Sequence, residues 1–237
     1  MPAPNSRRFL NAFNRIEKHL FRITRNPRRR RFRELVENAS VRNPMVARFK
    51  DDLREFSELR NAIVHETTDG RVIAEPNDEA TAEIERIADL ITDPPRIRDL
   101  PEMKVFTLSP GDPARAAIRK MYEGAFSQIP VYEGKDFRGL LTMKTVLRWL
   151  GARADGDVID LRNVTVAEVL EHAEEDENHR FLGPDVPLQE AADLFQYHVQ
   201  KGKRLNAVLV TDSGLPTGKL LNIITIWDLP KIRKKIE

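Results

Sequence analysis

Two groups of side chains in this 237-residue chain have the types and spacing for chemistry. The first is Glu58-Leu-Arg60-Asn61-Ala-Ile-Val-His65. An imidazole changes charge near neutral pH and can move a proton from a hydroxyl or onto a leaving oxygen. A guanidinium sets a fixed cation against charge that builds on a phosphate. Asn61 can orient either the phosphate or the imidazole. Arg60 and His65 stand roughly 140° apart on a straight helix, so a distortion of the helix, or its ending at His65, is needed to bring them together. The second group is Thr225-Ile-Trp-Asp228, with Lys203, Arg204, Asn206 and Ala207 earlier in the same stretch. One carboxylate can accept from two neighbouring hydroxyls, the pair that a ribose presents. A helix start beside it favours a phosphate. Both groups also have a plainer reading. His65 suits the end of a helix, where a cation meets the last carbonyls. Thr225 and Asp228 suit a helix start.

These groups need elements to hold them, and the composition bounds what those elements are. At 41% hydrophobic and 32% charged residues, with a mean hydropathy of −0.48, the chain can bury a core and face water. No apolar run nears the roughly 20 residues of a membrane span, and no secretory signal pattern opens the sequence. A cytoplasmic protein with no membrane partner is expected. Cysteine is absent, which excludes disulfides, thiolate zinc sites and cysteine nucleophiles. Five histidines show no metal-ligand spacing, so no metal is expected. The net charge of +2 hides an asymmetry: residues 1–50 hold 14 basic and 3 acidic side chains, and residues 51–93 hold 4 and 13. The basic lobe centres on Arg28, Arg29, Arg30, Arg31 and Arg33. It can attract nucleic-acid phosphates, its own acidic neighbour or a partner copy.

Before Asp93-Pro94-Pro95 the period is helical. Phe9, Phe13, Ile16, Leu20 and Ile23 fall on one helix face. A short basic helix is expected from about Arg28 to Ala39. A third helix is expected through Val46, Phe49, Leu53, Phe56 and Ile63, opened by Pro44. A turn or small hairpin is expected over Glu66–Pro76, and a last helix over Asp78–Ile91. After the double proline the order becomes strand Val105–Leu108, helix Asp112–Tyr122 capped by Asp112, strands Ile129–Tyr132 and Phe137–Leu141, and helix Met143–Leu150. A helix over about Val166–Ala173 follows. Then the order returns as strand Arg180–Leu182, helix Pro187–Val199, strands Ala207–Val210 and Leu220–Ile224, and helix Ile226–Ile232. Gly139-Leu-Leu-Thr142-Met-Lys-Thr145 matches Asn222-Ile-Ile-Thr225-Ile-Trp-Asp228. Two such units in tandem are an internal repeat whose copies pack together.

Residues 97–237 resemble a tandem pair of CBS motifs, the Bateman module. The resemblance is carried by FSQIPVYEGKDFRGLLTMKTVLRWL and RLNAVLVTDSGLPTGKLLNIITIWDLPKI. The copies would span about 97–151 and about 178–237. The resemblance implies an adenosine-containing ligand: AMP, ADP, ATP, S-adenosylmethionine or a cyclic dinucleotide. Thr225 and Asp228 match the family's ribose-binding element. The first copy has Thr142 but carries Thr145 where that element has Asp, so its site is expected to be weaker, empty or of other specificity. Lys203 and Arg204 are the phosphate candidates, with base contacts near Leu205, Asn206 and Ala207.

The spacing Arg60-Asn61-x3-His65, late in a four-helix pattern, resembles the HEPN superfamily over about residues 5–93. Many such proteins are metal-independent ribonucleases that act as dimers. The two resemblances together imply an α+β chain. A HEPN-like bundle over residues 1–93 precedes an α/β CBS pair over 97–237. Adenine nucleotide would regulate RNA cleavage by a homodimer through Arg60, Asn61 and His65, with RNA held by Arg28–Arg31 and Arg33. The alternative is a non-catalytic regulatory or dimerisation protein whose basic bundle serves interaction or nucleic-acid binding.

Overall fold

The computed structural model describes residues 4–24, 31–65, 67–68, 71–72, 74–154, 156, 158–173 and 178–236, the side chains of 65, 67, 68, 71 and 72 excepted. The chain forms two compact units, Met1–Pro95 and Arg96–Lys235. The fold is mixed α+β, an N-terminal helical region followed by an α/β part.

In the first unit, helix α1 (Asn5–Thr24) buries Phe9, Phe13, Ile16 and Leu20 at 2% exposure or less, the face set by the apolar spacing. Its start is held from outside: Glu75 accepts from the Ser6 amide at 3.0 Å, and the hydrogen bond keeps that carboxyl below its usual range. Helix α2 (Phe32–Ser40) begins at Phe32 with Arg31 at its cap; residues 28–30 of the expected helix lie outside the described residues. The expected third helix is two. Asn43 caps α3 (Pro44–Arg48) by accepting from the Met45 and Val46 amides at 3.0 and 3.1 Å. Phe49 then leaves helical geometry (φ −96°, ψ 21°), and α4 (Lys50–His65) follows. The break lets the Phe49 ring sit 5.2 and 5.3 Å from the Arg48 and Arg86 guanidiniums while 5% exposed. Strands β1 (Thr67–Thr68) and β2 (Arg71–Val72) pair antiparallel as a small hairpin. Helix α5 (Asp78–Thr92), capped by Asn77, lies on α1 through Ile84, Ile87, Ala88 and Ile91.

Part of the charge asymmetry is spent inside this unit. Arg8 forks onto Glu85 at 2.6 and 3.0 Å, Arg15 meets Asp89 at 2.6 Å, and Arg33 meets Glu58 at 2.6 Å. Glu37 takes both Lys50 and Arg54. Exposed pairs of this kind are each worth about 0–1 kcal/mol. They tie three of the fourteen basic side chains of residues 1–50, Arg8, Arg15 and Arg33, to acidic side chains of residues 51–93.

In the second unit, Ile97–Asp99 form a 3-10 turn. Val105–Leu108, expected as a strand, form none. Only Leu108 bridges to Val131, because the chain turns at once through Ser109-Pro110. Asp112, expected to cap the next helix, instead accepts from the Ser109 amide at 2.7 Å, and Pro113 occupies the cap of α6 (Ala114–Glu123). Strands β3 (Gln128–Glu133) and β4 (Asp136–Thr142) form an antiparallel hairpin with a bulge at Val131/Tyr132. Helix α7 (Met143–Gly151) follows, then α8 (Val166–Leu170), closed by a Thr165/Glu168 capping box and shorter than expected.

In the second copy, β5 (His179–Leu182) runs parallel to β6 (Ala207–Thr211), and β7 (Leu220–Ile224) pairs antiparallel to β6. Helix α9 (Leu188–Gln200) lies between β5 and β6. The last expected helix is a 3-10 turn, Ile226–Asp228, continued by α10 (Leu229–Ile236); Pro230 fits its first turn, where no amide is needed. Leu140, Ala207 and Leu209, with Phe137, Phe181, Leu220 and Ile223, form an apolar seam shared by the two copies.

The copies also exchange their leading segments. The Ile97 and Arg98 amides donate to Val186 and Pro184 of the second copy, at 3.0 and 2.9 Å. The Val166 amide donates to Asp112 of the first, and the Ala114 amide donates back to Val164, both at 2.9 Å. Ile97 is 2% exposed and Val164 8%.

Candidate functional site

Strand β4 ends at Thr142 and strand β7 at Ile224, and Thr142 and Thr225 each stand at the start of a helical turn. Around these ends lies a cavity of about 220 Å³, lined from the first copy by Ser127, Gln128, Thr142, Met143 and Lys144, and from the second by Arg204, Leu205, Asn206, Thr225, Ile226 and Trp227.

In the second copy a carboxylate, Asp228, holds the lining residue Thr225 and is not itself part of the lining. Asp228 Oδ2 accepts from the Thr225 amide at 2.8 Å and from Thr225 Oγ1 at 3.0 Å. This is the capping role that the residue types allow. It uses one carboxylate oxygen; Oδ1 accepts nothing from the described residues. The first copy is closed differently. Thr142 Oγ1 accepts from the Thr145 amide at 3.0 Å and lies 2.9 Å from Thr145 Oγ1, with both side chains buried. Thr145 has turned into the fold and offers no charge, as the substitution for Asp implied.

The other expected ligand residues separate. Arg204 and Asn206 line the cavity. Arg204 is exposed and has no ion-pair partner among the described residues. Lys203 is exposed but outside the lining, and Ala207 has no exposed surface at all, its methyl lying in the shared seam. Of the unlisted-by-motif side chains, Trp227 matters most. It is 81% exposed on the cavity rim, between the two residues of the Thr-x-x-Asp element. An indole so exposed is a ready stacking surface for a flat base. Its signal in sequence was its position immediately before Asp228.

In the helical unit, α4 spans Lys50–His65. Arg60 is half-buried on its last turns and donates to Asn61 Oδ1 at 3.2 Å. The His65 side chain lies outside the described residues, as do Arg28, Arg29 and Arg30. Arg31 and Arg33 are exposed, with Arg33 held by Glu58. Among the described residues no His, Asp and Glu group is arranged to hold a metal ion, and no helix is long and apolar enough to cross a membrane.

Comparison with known proteins gives the α/β part a family. No curated protein matches the chain. Solved structures that resemble it include a signal-transduction protein with CBS domains from Burkholderia ambifaria, 22% identical over 57% of this chain and 88% of that one (TM-score 0.42). Another is CBSX2 in complex with AMP, 14% identical over 60% and 97% (TM-score 0.43). A third is the CBS domain pair of MJ0100 with 5-methylthioadenosine and S-adenosylmethionine, 14% identical over 61% and 99% (TM-score 0.44). Residues 97–152, which hold the first β3-β4-α7 copy, match the family model of the CBS domain, and it is as a CBS-type α/β unit that the C-terminal part of this chain is to be understood.

Proposed function

We propose that the CBS-type unit is a regulatory sensor that binds an adenosine-containing small molecule in the second copy's half of the 220 Å³ cavity. The observation that carries this reading is Asp228, whose second carboxylate oxygen accepts nothing from the described residues while the first fixes Thr225 at the cavity wall. The ribose hydroxyls would donate to Asp228, the base would stack on Trp227, and Arg204 would meet a phosphate. Homodimerisation belongs to the same proposal.

The chain has two tryptophans, and Trp149 is fully buried, so Trp227 dominates any ligand-dependent change in indole emission. AMP and S-adenosylmethionine are the first probes. Either should change Trp227 emission saturably, and the response should vanish in Trp227→Phe. Unchanged emission together with no heat of binding for any adenosine compound would refute the sensor.

The finer reading adds an output: the helical unit cleaves RNA without metal, with His65 moving the proton, Arg60 stabilising phosphate charge and Arg28–Arg33 holding the strand. The Arg60–Asn61 bond on the last turns of α4 favours it, since it fixes the guanidinium beside the helix end where His65 stands. Purified chain should cleave a mixed RNA in the presence of chelator, leaving cyclic phosphate ends, and His65→Ala should not. Intact RNA under every nucleotide condition would leave the non-catalytic sensor.

A further inference from the structure

The strands β3 and β6 carry the proposed adenosine site at one end and hairpin turns at the other. Five residue steps along β3, roughly 17 Å of extended chain, separate Gln128 from the turn after Glu133. At the turn end lies a second and larger cleft, of about 720 Å³, within the size range of roughly 300–1,000 Å³ usual for small-molecule sites. Both repeats build it. The first supplies Tyr132 and Lys135, and the second supplies Asp212, Ser213, Thr217 and Lys219.

Its chemistry is one-sided. The Lys135 and Lys219 ammoniums have no ion-pair partner among the described residues, and the Thr217 hydroxyl has no hydrogen-bond partner there. Asp212 is the one acidic side chain in the lining, and it is turned to its own loop, where Oδ1 accepts from the Lys219 amide at 3.0 Å. Gly218 permits this packing: a Cβ there would stand 2.7 Å from Asp212 Oδ1 and 2.3 Å from Ser213 Oγ. One wall residue has an unusual atom, Tyr132 Oη. It is shielded from solvent and has no hydrogen-bond partner. Leaving a buried hydroxyl unmet is costly, on the order of 1–3 kcal/mol in general. The ring is fixed edge-on against Phe137, 5.3 Å away, so the hydroxyl cannot swing freely to find one. Burial raises the phenol's pKa above its ordinary value, so it stays protonated.

We propose that this cleft binds the phosphate group of a small organic phosphomonoester. Two ammoniums from different repeats supply charge, and the hydroxyls of Ser213 and Thr217 supply neutral donors. A phosphate dianion presents three acceptor oxygens and needs several donors at once. A neutral sugar would meet uncompensated lysines, and a cation would be repelled. The site is separate from the proposed adenosine site and stands whether or not that reading holds.

Ribose 5-phosphate is the probe, with ribose as the uncharged control, titrated by calorimetry into the full chain at low salt. The phosphate is expected to bind, ribose is not, and added salt should weaken the binding. Lys135→Gln/Lys219→Gln should lose about tenfold or more in affinity, the scale of charge-assisted hydrogen bonds. Tyr132→Phe should leave both binding and melting temperature near the parent's, since the deleted hydroxyl is shielded from solvent and has no partner in the protein. Asp228→Ala should leave this binding unchanged. No binding by the parent at millimolar probe, equal affinity in the double lysine variant, or loss of binding in Asp228→Ala would each overturn the assignment.

Discussion

Asp228→Ala is expected to lower the affinity of the CBS-type unit for the adenosine ligand proposed above by tenfold to a hundredfold. The carboxylate has two jobs that the geometry separates. Oδ2 holds the Thr225 amide and hydroxyl, and Oδ1 is left for a ligand. Hydrogen bonds to a charged group contribute about 1.5–3 kcal/mol, and every 1.4 kcal/mol is about tenfold in binding. The alanine variant loses the cap as well, which costs about 0.5–2 kcal/mol of stability in comparable helix starts. Asp228→Asn divides the two effects. Its amide oxygen still accepts from Thr225, so the melting temperature should stay near the parent's, while affinity falls because the charge is gone. Thr145→Ala, at the matching place in the first copy, should scarcely change affinity, because that hydroxyl is 3% exposed and already spent on Thr142. Calorimetry on the four proteins checks this. Parent-like affinity in both Asp228 variants would move the ligand away from the Thr-x-x-Asp element.

Trp149→Ala should be the costliest single truncation in the first copy. The indole is fully buried on α7 among Leu108, Ala117, Met121, Val146 and Val166, with the Arg153 guanidinium 4.6 Å from its ring centre. Removing a buried Trp or Phe side chain usually costs about 3–5 kcal/mol, since the cavity closes only in part. That is a large share of the roughly 5–15 kcal/mol by which domains are stable. Trp149→Phe should cost much less, because it keeps most of the ring and deletes an indole N–H that is buried without a partner. Urea unfolding measures both. A loss under about 1 kcal/mol for the alanine variant would be incompatible with a packed core at this position.

Where one face of a helix is buried, the sequence was legible. Phe9, Phe13, Ile16 and Leu20 are spaced for burial and are buried, because a 3.6-residue period is a local property. The repeat was legible for a related reason: Thr142 and Thr225 follow matching apolar strands and begin matching turns. What stayed hidden depends on distant partners. Phe49 reads as one more apolar position on a helix, yet it interrupts that helix to sit between Arg48 and Arg86, and the second of these is far along the chain. Val105–Leu108 has strand composition, but only Leu108 finds a neighbouring strand. Lys203 and Arg204 look alike as cations, and only the fold puts Arg204 on the cavity wall. Trp227 read as an apolar helix residue until its exposure was known.

The exchanged leading segments make each repeat incomplete by itself. Residues 97–152 hold the strands and helices of the first copy but lack Val164 and Val166, whose backbone closes the start of α6. The second copy likewise borrows Ile97 and Arg98 from the far end of the unit. If the chain were divided between Gly151 and Val158, each fragment would carry the segment that the other is missing. Neither would finish its own fold, and mixing them would restore both. The tandem thus shares its backbone pairing between the two copies, and a ligand that tightens either half acts on segments that belong to both.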